Sequence, residues 1–240
     1  MAANQPDTPP VYDDQFEARV AERTEELSAL STNLLRMMEN ERSQLAKELH
    51  DELGGLITAA KMDMAWLQSH VGNSLDAASQ DKFRSVVQML NQAMMLKRRV
   101  VESLRPSLLD HFGLPVALRS HFDESCGPSG IEYIATLPEE VLDLEPAVQL
   151  TLFRVAQEAL TNLLARGSAR HVELVMEAEG DDYVLTVGDD GAAMDAAQLR
   201  TLAGMRHRVQ GAGGRLEVDA IAGQGNRITV HVPRRAAQPA

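Results

Sequence analysis

Glu41-Arg-Ser-Gln-Leu45-Ala-Lys-Glu-Leu49-His50-Asp51-Glu-Leu53-Gly54-Gly55-Leu56 is the stretch that decides the fold. Leu45, Leu49, Leu53 and Leu56 recur at helical spacing among charged residues, so they form one apolar seam and leave His50 just off it, at the solvent edge. The same pattern extends upstream through Phe16, Val20, Leu27, Leu30, Leu34 and Met37. No proline interrupts it before Pro106. A continuous helix from about 13 to 70 is roughly 85 Å long at about 1.5 Å per residue, and a helix of that length needs a partner. The partner follows a break at Val71-Gly72-Asn73-Ser74: Phe83, Val86, Val87, Leu90, Met94, Val101 and Leu104 form a second helical stripe that Arg105-Pro106 stops. The pattern predicts an antiparallel helical hairpin over 13–106. Two helices with one stripe each cannot enclose a core, so two hairpins are expected to pair as a four-helix bundle, a homodimer.

Beyond Pro106 the texture changes. Runs rich in Val, Ile and Thr at 131–136, 171–178, 183–187, 215–219 and 227–232 read as strands, and 145–164 and 196–210 read as helices. This order predicts a two-layer α/β domain over 107–233, a mixed sheet with helices on one face. Residues 1–12, polar and rich in proline, and 234–240, without periodicity, are expected to be mobile tails.

Composition narrows the function. The 240 residues carry 23 Lys and Arg against 35 Asp and Glu, a formal charge of −12, with only five Phe, three Tyr and one Trp. A nucleic-acid surface needs basic stripes and stacking rings, so no nucleic-acid partner is expected. The single cysteine, Cys126, excludes an internal disulfide and a cysteine metal cage. The opening MAANQPDTPP lacks the features of a signal peptide, and no window approaches 18 uninterrupted apolar residues. These features predict a cytoplasmic protein without membrane insertion.

The chemistry centres on His50. An exposed imidazole beside the carboxylate of Asp51 can keep one ring nitrogen protonated and present the other as a nucleophile. Residues 41–67 as a whole resemble the phosphoacceptor helix of bacterial sensor histidine kinases of the NarX/DesK-like subfamily. The order of later motifs agrees: Leu104-Arg105-Pro106 with Leu109 and Gly113-Leu114 resembles the connector, and Glu158 to Asn162 resembles the N box. Asp189-Asp190-Gly191 resembles the G1 box, and the stretch around Gly204-Met205 resembles the G2 region. Glu158 and Asn162, four apart on one helix face, offer the oxygen ligands that Mg²⁺ takes beside triphosphate oxygens.

The resemblance implies an ATPase domain of the histidine-kinase type. It implies autophosphorylation of His50 from ATP, and transfer of the phosphoryl group to an aspartate of a response-regulator receiver domain, with an upstream sensor protein as a further partner. It assigns Asp51 to proton removal from His50, Glu158 and Asn162 to Mg²⁺, and Asp189 to the exocyclic amine of adenine. Gly191 and Gly204 fall in the nucleotide loops, and Arg166 stands as the phosphate-facing cation. Several positions depart from the pattern. After Asn162 the subfamily carries Lys or Arg and then His or Tyr, where this chain has Ala165 and Arg166. Ala193 replaces the second G1 glycine, Asn226 replaces a threonine, and the lid between Gly191 and Gly204 is short. These departures support a second reading, a histidine phosphotransfer protein whose C-terminal domain has lost ATP chemistry. Gly55 stands where members with phosphatase activity often carry an amide or imidazole. The remaining histidines, at 70, 111, 121, 171, 207 and 231, show no metal-ligand spacing.

Overall fold

A computed structural model describes residues 12–140, 142–221, 223 and 225–234. Apart from Tyr12 and Arg234, the tails expected to be mobile therefore lie outside the described residues. Helix α1, Tyr12–Glu48, passes through a π-helical turn, Leu49–Leu53, into α2, Gly54–Val71. Gly72–Ser74 reverse the chain in a 3₁₀ turn, and α3 spans Ala77–Leu104. Asp76 starts α3 by accepting from the Ser79 amide at 2.8 Å, which satisfies one of the orphan donors of a helix start. At the far end Arg105 adopts the extended conformation that the following proline imposes.

The hairpin packs differently from the simple seam. The residues buried on this side of the long helix are Ala46, Gly54 and Ile57, whereas Leu45, Leu53 and Leu56 are exposed. Small residues let the antiparallel helices approach, and the larger apolar side chains point away from α3. Leu27, Leu30, Leu34, Met37, Met62 and Trp66 extend this uncovered face.

The connector is itself helical: α4, Ser107–Phe112, and α5, Leu114–Ser129, meet at Gly113, whose φ of +80° lies where only glycine is unstrained. Strand β1, Glu132–Thr136, is followed by α6, Pro146–Arg166, then by β2, His171–Glu179, and β3, Asp182–Asp189. The single helix expected over 196–210 is two, α7, Ala196–Thr201, and α8, Ala203–Gly211. Asp195 caps α7 in a reciprocal box with Gln198, and Leu202, 1% exposed, turns into the core between the two helices. β4, Arg215–Ile221, and β5, Gly225–Pro233, form the last hairpin.

The sheet order is β1-β2-β3-β5-β4, with β1 and β2 parallel and every other pair antiparallel. Along β2, Val172, Leu174 and Met176 are buried while His171 and Glu173 are exposed, the alternation of a sheet covered on one face. The covering layer is α5, α6 and α8, which contact β1, β3 with β5, and β4 respectively. Their core contains Leu118, Phe122, Leu152, Leu160, Leu174, Leu185, Met205 and Val230.

Candidate functional site

The candidate residues fall in two centres, one on the hairpin and one on the sheet domain. At the first, His50 and Asp51 are both exposed within the π-turn. A π-turn widens the helix by one residue and breaks the regular ladder, and such turns concentrate at functional positions. Lys97 of α3 reaches under this turn, its Nζ 3.5 Å from the His50 carbonyl oxygen. Gly54 makes room for it, because a Cβ there would lie 2.8 Å from Lys97 Nζ. Among the described residues His50 and Asp51 share no side-chain hydrogen bond, so the pairing expected from the sequence is not made in this structure. A groove of about 530 Å³ opens beside them, lined by Lys47, His50, Asp51, Arg105, Ser107 and Asp110 among others. Arg105 is held over it by Asp110, at 2.9 Å from Nε and 2.8 Å from Nη2, and by a hydrogen bond to Ser43.

The second centre lies on α6 and on the loop after β3. Glu158 and Asn162 stand one turn apart on α6, both half-buried, and neither side chain makes a hydrogen bond among the described residues. Burial pushes the Glu158 carboxyl above its ordinary range, against the pull of the Arg208 and Arg42 guanidiniums. Asp189 ends β3. Its Oδ1 accepts from the Gly191 amide at 2.9 Å and from Asn226 Nδ2 at 3.0 Å, and its Oδ2 accepts from Arg166 Nη2 at 2.6 Å.

Gly191 is required by crowding: a Cβ there would lie 2.8 Å from both Asp189 Oδ1 and Ser168 Oγ. Gly204, near the start of α8, has nothing within 4 Å of such a Cβ and is exposed, so packing gives no reason for a glycine. Asn226, 5% exposed, ties the loop shut by accepting from the Met194 amide at 2.7 Å and donating to the Ala192 carbonyl at 2.9 Å. Neighbouring Asp190 accepts from the amides of Arg170 and His171 and from the His171 ring at 2.8 Å. These donors hold its carboxyl well below the usual range, and the pairing raises that of His171.

Between the two centres sits a cluster that sequence reasoning missed. Arg154, 3% exposed, grips both carboxylate oxygens of Glu39 on α1, with Nε at 3.1 and 3.2 Å and Nη2 at 2.9 Å. Its remaining donors reach the carbonyls of Ser103 and Leu104 and the Gln157 amide oxygen. Arg208 of α8 joins Glu39 at 2.9 Å. The available signal was an arginine inside the apolar run Leu152-Phe153-Arg154-Val155-Ala156, a polar residue at a core position that must be paired.

The arrangement suits a phosphorylated ligand. Arg166 and Arg208 each keep a buried Nε without an acceptor, and orphan donors of this kind match anionic oxygens. Glu158 and Asn162 keep oxygens that no group among the described residues uses, the hard donors that Mg²⁺ prefers.

Both regions resemble known proteins. Residues 41–109 match the family model described as histidine kinase, and residues 147–236 match that described as histidine kinase-, DNA gyrase B- and HSP90-like ATPase; together they cover more than half of the chain. The signal transduction histidine-protein kinase/phosphatase UhpB of Salmonella typhimurium is 30% identical over 214 residues, 86% of this chain and 41% of that protein. The sensor histidine kinase LiaS of Bacillus subtilis is 28% identical over 201 residues, 82% and 55% of the two chains. The sensor histidine kinase MctS of Rhizobium johnstonii is 31% identical over 172 residues, 70% and 36%. The chain thus spans between about a third and just over half of the length of these relatives.

Proposed function

The chain belongs to the histidine kinase family, and on that premise we propose that it is a protein histidine kinase of two-component signalling, with ATP as phosphoryl donor and His50 as acceptor. The observation that carries this reading is one chain holding an exposed His50–Asp51 turn together with Glu158 and Asn162 on one face of α6 and Asp189 at the end of β3 in an ATPase-type domain. The hairpin of 13–106 is the dimerisation and phosphotransfer unit, and 107–233 is the nucleotide-binding unit.

In the first step the unprotonated imidazole nitrogen of His50 attacks the γ-phosphorus. A nitrogen–phosphorus bond forms, the bond to the β,γ-bridging oxygen breaks, and ADP leaves. Asp51 takes the proton from the other ring nitrogen, which neutralises the imidazolium. Glu158 and Asn162 would hold Mg²⁺ through their side-chain oxygens, and the ion would offset the phosphate charge. Asp189 accepts the amine of adenine. In the second step the phosphoryl group passes to a carboxylate oxygen of a response-regulator aspartate, which restores His50.

The exposed apolar face of α1 and α2 supports a homodimer, because a second copy removes those side chains from water. No helix among the described residues is long and apolar enough to cross a membrane. We place the reaction in the cytoplasm, driven by an upstream sensor protein. The test is incubation of the full chain with radiolabelled ATP and Mg²⁺. Acid-labile, alkali-stable phosphate is expected on the natural chain, none on His50→Gln, and none on Asn162→Ala. Label surviving in His50→Gln would displace the phosphoacceptor assignment.

A further inference from the structure

The reading above asks one carboxylate, Asp189, to accept the exocyclic amine of adenine, and that carboxylate is already engaged. Ionised, it has room for about four hydrogen bonds. Gly191 and Asn226 take both positions on Oδ1, and Arg166 takes one of the two on Oδ2, at 2.6 Å, in a pair whose side chains are only 12% and 7% exposed, which leaves a single position beside the guanidinium. Arg166 stands at the last position of α6, directly before Gly167, whose φ of +64° ends the helix and turns the chain toward β2. From there the guanidinium spans to the end of β3. The pose is imperfect: Nη2 is satisfied, but Nε is buried with no acceptor. A buried donor without a partner is a cost the folded protein carries. The contact is therefore well made at Asp189 and under-satisfied at Arg166 itself.

We propose that Arg166 is a displaceable plug on Asp189 that competes with adenine at Oδ2, and that Arg166 thereby sets nucleotide affinity and base selectivity. The inference rests on the kinase reading for the role of Asp189. Its physical basis is a competition at one oxygen. Both donors would meet an ionised carboxylate, but the guanidinium adds its own positive charge to the bond, whereas the adenine amine is a neutral donor. Exchange of the first for the second is unfavourable at Asp189. Relief of the orphaned Nε by a phosphate oxygen offsets part of that cost, but only once the guanidinium has moved. Asn226 strengthens the block, because its bonds to Asp189, Ala192 and Met194 leave the loop little freedom to offer the carboxylate elsewhere. A ligand whose base presents no amine donor to Asp189 gains nothing from removal of the plug.

The test is equilibrium binding of ATP and GTP, each with Mg²⁺, to the full-length natural chain and to Arg166→Ala and Arg166→His, with circular dichroism confirming that each variant folds. ATP affinity is expected to rise tenfold or more in both variants, with GTP affinity changing less than threefold. A merely structural role for Arg166 would move both nucleotides together. Unchanged or weaker ATP binding in both folded variants overturns the proposal, as does an equal gain for GTP, and so does a lack of nucleotide binding by all three proteins. Phosphorylation of His50 in the same preparations separates the two ideas. Label on the natural chain with no affinity gain in the variants leaves the kinase and removes the plug, whereas an affinity gain without label on any chain leaves the plug and removes the kinase.

Discussion

Replacement of Glu39 by Ala is expected to undock the sheet domain from α1 without unfolding either part. Glu39 forms ion pairs with both Arg154, 3% exposed, and Arg208, 14% exposed, across the junction. Removing one partner of a buried ion pair costs about 3–5 kcal/mol, because the other charge stays desolvated. Arg154 keeps three acceptors, the carbonyls of Ser103 and Leu104 and the Gln157 side chain, which places the cost near the lower end, about 3 kcal/mol. The molecule has a cheaper response than unfolding: α1 can separate from α6 and α8 and let water reach both guanidiniums. A cost of about 3 kcal/mol corresponds to a shift of roughly a hundredfold in the docking equilibrium. Hydrogen exchange reads it directly, with faster exchange expected along α8 and the first half of α6 and no change in β2 or β3. The pairwise energy follows from a double-mutant cycle of Glu39→Ala with Arg154→Leu. A coupling below about 1 kcal/mol, the range of exposed pairs, would refute the reasoning, as would α8 exchange identical to that of the natural chain.

Gly55→Gln should raise dephosphorylation of a phosphorylated receiver domain, since an amide one turn beyond Asp51 can orient water; the position has open space, with nothing within 4 Å of a Cβ, and the helix gains up to about 1 kcal/mol. Decay of labelled regulator without ATP measures the first effect and thermal unfolding the second. Asn226→Ala should destabilise the sheet domain by about 1–3 kcal/mol, because the buried Met194 amide loses its acceptor; denaturant unfolding of that domain checks it. The His171 ring, paired with Asp190, should titrate above its ordinary value of 6.5 by NMR and return toward it in Asp190→Asn. His171 binds its proton more tightly when folded, so its contribution is complete below pH 6.5 and fades as pH rises through the raised value. The Asp190 carboxyl is lowered, so its contribution is complete above its ordinary value of 3.8 and fades as pH falls. Both are present together between those two values, and a stability profile with no loss on either side would contradict the pairing.

The long helix, its reversal near Val71 and its end at Arg105-Pro106 were legible in the chain because they follow from local causes: apolar spacing, a Gly-Asn-Ser break and a proline. The alternating strands were legible for the same reason, since a half-covered sheet writes its two faces into successive residues. The His50 segment and the N-box helix could be placed because each functional group lies within one turn of its neighbours. The π-turn at Leu49–Leu53 could not, because nothing in the local spacing of apolar residues marks an extra residue in a helical turn. Nor could the division of apolar side chains between the hairpin interior and its open face, since one stripe on a helix does not say which of two neighbours covers it. The charged groups show the limit most clearly. Arg154 and Glu39 are 115 residues apart, and Arg166 and Asp189 are 23 apart on different elements. Periodicity tells which way a side chain leaves its own helix or strand, but the carboxylate it meets is decided by the packing of distant elements, and desolvation at that contact sets its strength.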